Sequence, residues 1–405
     1  MKRWLGIALG VVTSFGGFLE IGSIATAAQA GAEYRYQLVW AIVLGTICIG
    51  LLVEMAGRFA AVSEHTIADA MRERFGLHFF MVPLVLVFVV SLLVMAAEIG
   101  GVAVAIEYVT GVSYLVWTLP VGVLAWGLVW YGTFSLIENG ISMLGLITIA
   151  FAVAAFDLGP NWSELLHGVV PTIAHRQPAH YSFLVVSILG ASISPYLFYF
   201  YSSGAIEEKW DVTYLASNRV IAAIGMGFGG GLSVAVLVVA ALVLAPAGIK
   251  VESYHQLPLI LSTSWGKAGV LLFAGSLFIT CLGATAEIAL ALAYEVAQGL
   301  GWNWGQDLPP SGDARFSLTY TITLLIATLL VFIGVDPVKL TNLSMALSAA
   351  SLPVAIIPFL VLMNDEKYLG EHTNGWLGNL AILLVSLLAG VLAVVSIPLE
   401  ILGGS

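Results

Sequence analysis

The sequence predicts an all-α integral membrane protein of about eleven transmembrane helices, built as two five-span units in inverted repeat with one span added. Three observations predict it. Of 405 residues, 60% are hydrophobic and 9% charged, against about a quarter charged in soluble domains. Mean hydropathy is +1.00, so lipid rather than water must solvate most of the surface. Two of the apolar runs are interrupted, and they open successive groups of five.

Each run is long enough for a helix to cross a bilayer, which takes roughly 20 residues. Read against Gly, Pro and charge punctuation, the spans cover about 5–31, 36–57, 79–110, 114–131, 138–157, 181–204, 217–245, 266–300, 316–334, 338–363 and 376–401. The whole chain, 1–405, reads as one transmembrane domain: a first repeat over about 5–157, a second over about 181–363, and an extra span over 376–401. The longest connections, 158–180, 246–265 and 301–315, are short and polar, with no soluble domain between spans. The N-terminus (Met1-Lys2-Arg3-Trp4-Leu5) resembles a signal peptide, but its apolar run continues past residue 28 and reads as the first span. Cys48 and Cys281 lie far apart in apolar runs and read as buried small hydrophobes.

The basic residues set the orientation. With the N-terminus in the cytoplasm, inner segments carry nine Lys and Arg and outer segments five, the expected bias, and an odd span count then puts the C-terminus outside. The expected location is a bacterial inner membrane. The net charge of −10 leaves no basic tract for nucleic acid, and neither a protein partner nor a cofactor is called for.

The first break is Gly16-Gly17-Phe18-Leu19-Glu20-Ile21-Gly22-Ser23, a glycine-rich stretch with an acid at membrane depth. The second is Gly190-Ala191-Ser192-Ile193-Ser194-Pro195-Tyr196, where Pro195 removes a backbone donor and blocks a helical bond. Broken backbone survives in a bilayer only where protein buries it or water reaches it, and paired breaks at Gly22 and Pro195 mark a transport site.

These residues resemble the Nramp family of proton-coupled divalent-metal transporters, a branch of the LeuT-like fold. Gly31-Ala32-Glu33-Tyr34, followed by Tyr36, Leu38 and Trp40, fits its GAxxGYxLLW pattern, and Ile67 to Phe75 resembles its DLAEACRERY segment. Pro160 to Pro171 resembles PxWxEVLxGLVP, Ser351 to Pro358 resembles QLPFAxIP, and Gly370 to Asn374 resembles GxxxN. The resemblance implies the fold, transport of a divalent cation, and proton coupling. It departs at the site. The family's DPGN stands here as Glu20-Ile21-Gly22-Ser23, and its MPHN as Ser194-Pro195-Tyr196-Leu197, a hydroxyl in place of the thioether. Its span-ten glutamine matches Ser351, a second span-six histidine matches Tyr201, and DLAE in span three matches Met95-Ala96-Ala97-Glu98.

The expected substrate site therefore comprises the Glu20 carboxylate, the hydroxyls of Ser23, Ser194, Tyr196 and Ser351, and carbonyls freed near Gly17 and Ala191. Glu20, Ser23 and Ser194 are the expected metal ligands. Every group is an oxygen, and no histidine falls deep in a span, so a hard cation is expected, Mg2+ before Mn2+. Glu98 and Glu20 are the expected proton route. Glu287, mid-span in the eighth helix, reads as a neutral structural acid, and Glu54, Glu107, Asp157 and Glu295 near span ends receive no role.

The run Gly225-Met226-Gly227-Phe228-Gly229-Gly230-Gly231 reads as small residues for close packing rather than a hinge. An alternative keeps the fold but makes the substrate a small non-metal solute, since polar ligands have been lost. A sensor would require an output domain, and the sequence stops soon after span eleven. An enzyme would need a nucleophile–base pair or a hydrolase metal spacing, and neither is found.

Overall fold

The computed structural model describes residues 19–133, 137, 140, 142–172, 177–306 and 312–403. The first half of span one, with the expected site residue Gly17, lies outside the described residues, as does the start of span five. Among the described residues nine helices are long and apolar enough to cross a membrane. They are span two (Val39–Ser63), three (Leu77–Thr110), four (Tyr114–Tyr131), six (Pro178–Glu207), seven (Val212–Val243), eight (Leu259–Leu300), nine (Ala314–Phe332), ten (Pro337–Leu362) and eleven (Trp376–Val395). The second half of span one is Ile21–Tyr34, and span five appears as a shorter apolar helix, Met143–Asp157.

Span eight begins with a bend. Gly266 sits at φ 56 inside the helical run, a backbone shape that only glycine adopts freely, so the membrane-crossing part starts where the apolar pattern starts. Short helices cap the connections. Thr66 accepts from the Asp69 amide to start Ile67–Phe75, and Asn161 accepts from the Ser163 and Glu164 amides to start Trp162–His167.

Burial separates the central helices from the peripheral ones. Span six buries 94% of its most apolar window, whereas span eleven buries 22%. The peripheral spans turn apolar side chains outward, as Val82, Val85 and Val89 do on span three and Leu380, Leu383 and Leu387 do on span eleven. Such a belt suits acyl chains rather than water. The largest interface joins spans three and eight, while the second half of span one packs chiefly on span seven and also meets spans six, three and ten. That crossing is close because Gly31 faces the Leu237 carbonyl, where a β-carbon would come to 2.2 Å. Gly230 of the span-seven glycine run likewise faces Thr46 of span two, and the helix passes through the run unbroken, so Gly230 serves packing, whereas a β-carbon at Gly227 or Gly231 would meet nothing within 4 Å.

Candidate functional site

The described part of span one starts as a helix at Ile21, with Glu20 in extended conformation (φ −115, ψ 173) ahead of it. A helix start leaves backbone amides without partners. Two are satisfied here by side chains: the Glu20 amide donates to Ser23 Oγ (3.0 Å), and the Ile21 amide donates to Glu98 Oε1 (3.0 Å). Ser23 Oγ in turn donates to the Glu20 carbonyl at 2.9 Å, so this hydroxyl closes on the Glu20 main chain. Gly22 is the second residue of the helix rather than the interruption itself.

Span six breaks between Ser192 and Pro195. Its first half, Pro178–Ser192, ends as Ile193 leaves helical geometry (φ −111, ψ 60), and its second half, Pro195–Glu207, starts with Ser194 extended. Proline suits that first helical position because its missing donor would be unpaired there in any case.

The two breaks meet at the Glu20 carboxylate, whose residue is 1% exposed. Tyr196 Oη donates to Glu20 Oε2 at 3.0 Å. Ser194 Oγ reaches Glu20 Oε1 at 3.4 Å and the Ala191 carbonyl at 3.3 Å. The expected residues Glu20, Ser194, Tyr196 and Ala191 thus share one place, with Ser23 behind Glu20. Ser351 does not join them: it is buried, but its hydroxyl donates to the Ser348 carbonyl (2.8 Å) within span ten.

Glu98 and Glu287 close the surroundings. Glu98 is fully buried and bonds the Ile21 amide through one oxygen, while its Oε2 has no hydrogen-bond partner. Glu287, 4% exposed, lies close enough to Glu20 and Tyr196 for their charges to interact. Glu295 corrects the sequence reading. It does not reach water at a span end but is 2% exposed, with Oε1 unpartnered, because the packing around the end of span eight encloses it.

One neighbour escaped the sequence altogether. Met345 of span ten is fully buried, and its thioether lies over Gly22 beside Glu20. A β-carbon at Gly22 would stand 2.8 Å from Met345 Sδ and 3.6 Å from Glu20 Oε1. The sequence reading named only oxygen groups at the break and did not place this thioether beside it. The only sequence signal was a methionine six residues before Ser351 on the same helix. Among the described residues no three His, Cys, Asp or Glu side chains gather in a metal-holding group.

A cavity of about 560 Å³ opens where the helix Ile21–Tyr34 ends, lined by Gln29, Glu33, His180, Lys250, Lys339 and Asn342 among others. Gln29 Nε2 donates to the Val251 carbonyl (3.2 Å), and His180 Nε2 stands 3.2 Å from Glu33 across its floor.

Comparison with known proteins agrees with this frame. The family described as Natural resistance-associated macrophage protein-like (Nramp) matches residues 10–398. The chain belongs to the Nramp family. It is 25% identical over 397 residues to the divalent metal cation transporter MntH of Erwinia tasmaniensis, covering 93% of this chain and 91% of that protein. The Aeromonas hydrophila protein of the same name is 24% identical over 379 residues, covering 88% and 87%.

Among solved structures, the Eremococcus coleocola manganese transporter in complex with an aromatic bis-isothiourea substituted compound superposes with a TM-score of 0.76 at 19% identity, over 96% of this chain and 85% of that one. A nucleobase-cation-symport-1 family transporter, closed around bromovinylhydantoin, gives a TM-score of 0.62 at 14% identity, over 97% and 91%. These likenesses show the fold: an all-helical, LeuT-like membrane protein, as the sequence predicted.

Proposed function

We propose that this Nramp-family chain carries a divalent metal cation across the membrane by alternating access, with Glu20 as the carboxylate that receives the ion. The observation that carries the proposal is the meeting of both helix breaks at Glu20, where Ser194 and Tyr196 bond its two oxygens. Both curated relatives bear the name of divalent metal cation transporters, which supports the class. A buried carboxylate costs several kcal/mol when left unpaired in a bilayer. An arriving cation relieves that cost and leaves again when the site opens to the other face. Ser194 Oγ and the Ala191 carbonyl add oxygen ligands, while Ser23 holds Glu20 in place through its main chain. Mg2+ and Mn2+ are both candidates: a single carboxylate suits Mg2+, and the solved structural relative is a manganese transporter.

Glu98 supports a proton route next to the ion. It contacts the amide that follows Glu20 and keeps one oxygen unpartnered, so a proton moving between the two acids would couple to cation binding. With the N-terminus in the cytoplasm, the cavity at Gln29 and Glu33 is the outer vestibule, and the Gln29–Val251 bond is part of its closure. Rocking of the helix bundle that carries the two broken spans then gives alternating access to Glu20.

A second reading has its own observation. Ser194, Tyr196, Leu197 and Ser351 stand where the family's motifs carry Met, His, Asn and Gln, and this loss of ligand types favours a small non-metal solute in the same fold. Purified chain in liposomes separates the two: uptake of Mn2+ or Mg2+ that Glu20→Ala abolishes supports the first. Silence toward both ions, with thermal stabilisation by an organic solute, supports the second.

A further inference from the structure

We propose that the seam between the second half of span six and span eight is the ion's path of release, and that Glu295 is the carboxylate that receives the ion there. The proposal rests on the divalent-cation reading and adds a second binding residue to it. Three features of the seam carry it.

The first is place. Span six starts at the vestibule, which Pro178 and His180 line, and meets the Glu20 site at its break. Its second half therefore leads away from the vestibule. There Tyr196, Tyr199, Ser203 and Glu207 recur at three- and four-residue spacing and so share one face. Span eight answers that face with polar groups of its own. Glu287 and Glu295 lie close enough to Tyr196 and Tyr199, respectively, for their charges to interact. Further along, Gln298 Nε2 donates to Ser203 Oγ (2.9 Å), and Tyr294 Oη donates to Glu207 Oε1 (2.9 Å). Polar side chains thus follow one another from the ion site to the end of span six.

The second is the state of Glu295. It stands eight residues, about 12 Å, beyond Glu287 on the same helix. The residue is 2% exposed, and among the described residues its Oε1 has no hydrogen-bond partner. The nearby Tyr199 hydroxyl donates instead to the Met71 thioether at 3.3 Å, a weak acceptor. An acid held so inside a membrane protein is costly, and such residues mark ion paths.

The third is how the seam is shut. The helix Ile67–Phe75 bridges the two spans there. The Ile67 amide donates to Ser202 Oγ (3.3 Å) on span six, and Arg72 Nη1 donates to the Gln298 carbonyl (2.8 Å) on span eight. These bonds, like Ser203–Gln298 and Glu207–Tyr294, join groups that water satisfies nearly as well. Their exchange for water opens the seam, and Glu295 then faces the passing ion.

The test uses the full-length chain, in liposomes for uptake and in detergent for calorimetry, with Mn2+ as the probe. Glu295→Gln should lower the maximal uptake rate about tenfold, while the half-saturating concentration and the calorimetric affinity stay within about twofold. A water-soluble thiol reagent should label Ser203→Cys, at a position buried here, and Mn2+ should slow the labelling. The wild type, whose Cys48 and Cys281 are buried, sets the background.

An unchanged uptake rate in Glu295→Gln, or a loss of Mn2+ affinity that matches the loss of rate, overturns Glu295 as the release-side carboxylate and leaves the divalent reading intact. Ser203→Cys that never labels overturns the passage, whether or not Glu295→Gln folds. Wild-type chain that neither binds nor carries Mn2+ overturns the divalent-cation reading itself.

Discussion

Tyr196 donates its hydroxyl to Glu20 Oε2 at 3.0 Å, so the residue after the span-six proline bonds the residue just ahead of the span-one helix Ile21–Tyr34. Each break leaves a polar group that the other satisfies. Neither half-helix could present its end to lipid alone, since unsatisfied groups there cost several kcal/mol. The two interruptions stabilise one another.

Removing that donor should be measurable. Tyr196→Phe leaves a buried carboxylate oxygen without its partner, which costs roughly 1–3 kcal/mol. Unfolding in detergent, followed in the absence of added metal, should show the loss. An unchanged midpoint would mean that the bond contributes nothing.

Two glycines make a paired test of helix packing. A β-carbon at Gly190 would stand 2.3 Å from the Met345 carbonyl, whereas one at Gly227 meets nothing within 4 Å. Gly190→Ala should cost about 1–3 kcal/mol or more, because backbone must move. Gly227→Ala should leave stability unchanged or slightly raised, since alanine favours helix. Equal effects in a thermal-stability comparison would contradict the close approach of spans six and ten.

Outside the membrane, Asp365 makes a pH-dependent tie. The Lys367 amide and then the Arg74 guanidinium hold its carboxyl below the ordinary aspartate range, with the Arg74 contact at 2.7 Å. A depressed value in the folded state means that the ionised group stabilises at neutral pH. That contribution is lost as pH falls through the folded value, below the ordinary aspartate value of about 3.9. Asp365→Asn keeps a capping side chain but removes the charge. Its stability should lie below that of the wild type near neutrality, and the two curves should converge in acid. Parallel curves throughout would contradict the tie.

The fold was legible because lipid imposes a simple grammar on sequence. Tyr114–Tyr131 lies where the apolar run placed it, and span eight's crossing part begins at the Gly266 bend. The breaks were legible from Pro195 and from an acid set among glycines, features rare in membrane helices without a reason. What stayed hidden depends on which face of a helix looks inward. Met345 and Gly22 are remote in sequence, and nothing in span ten marks one methionine as packing on Gly22. Ser351 was placed by resemblance, yet its hydroxyl turns back onto its own helix. Glu295 looked terminal by count, but the packing around span eight encloses it.

The most direct test is Mn2+ uptake into liposomes containing the purified chain, compared between wild type and Glu20→Gln, which keeps the side chain's shape and removes its charge. The account predicts saturable uptake by the wild type and none above empty liposomes for the variant. Uptake that persists in Glu20→Gln would contradict the placement of the ion where the two broken helices meet.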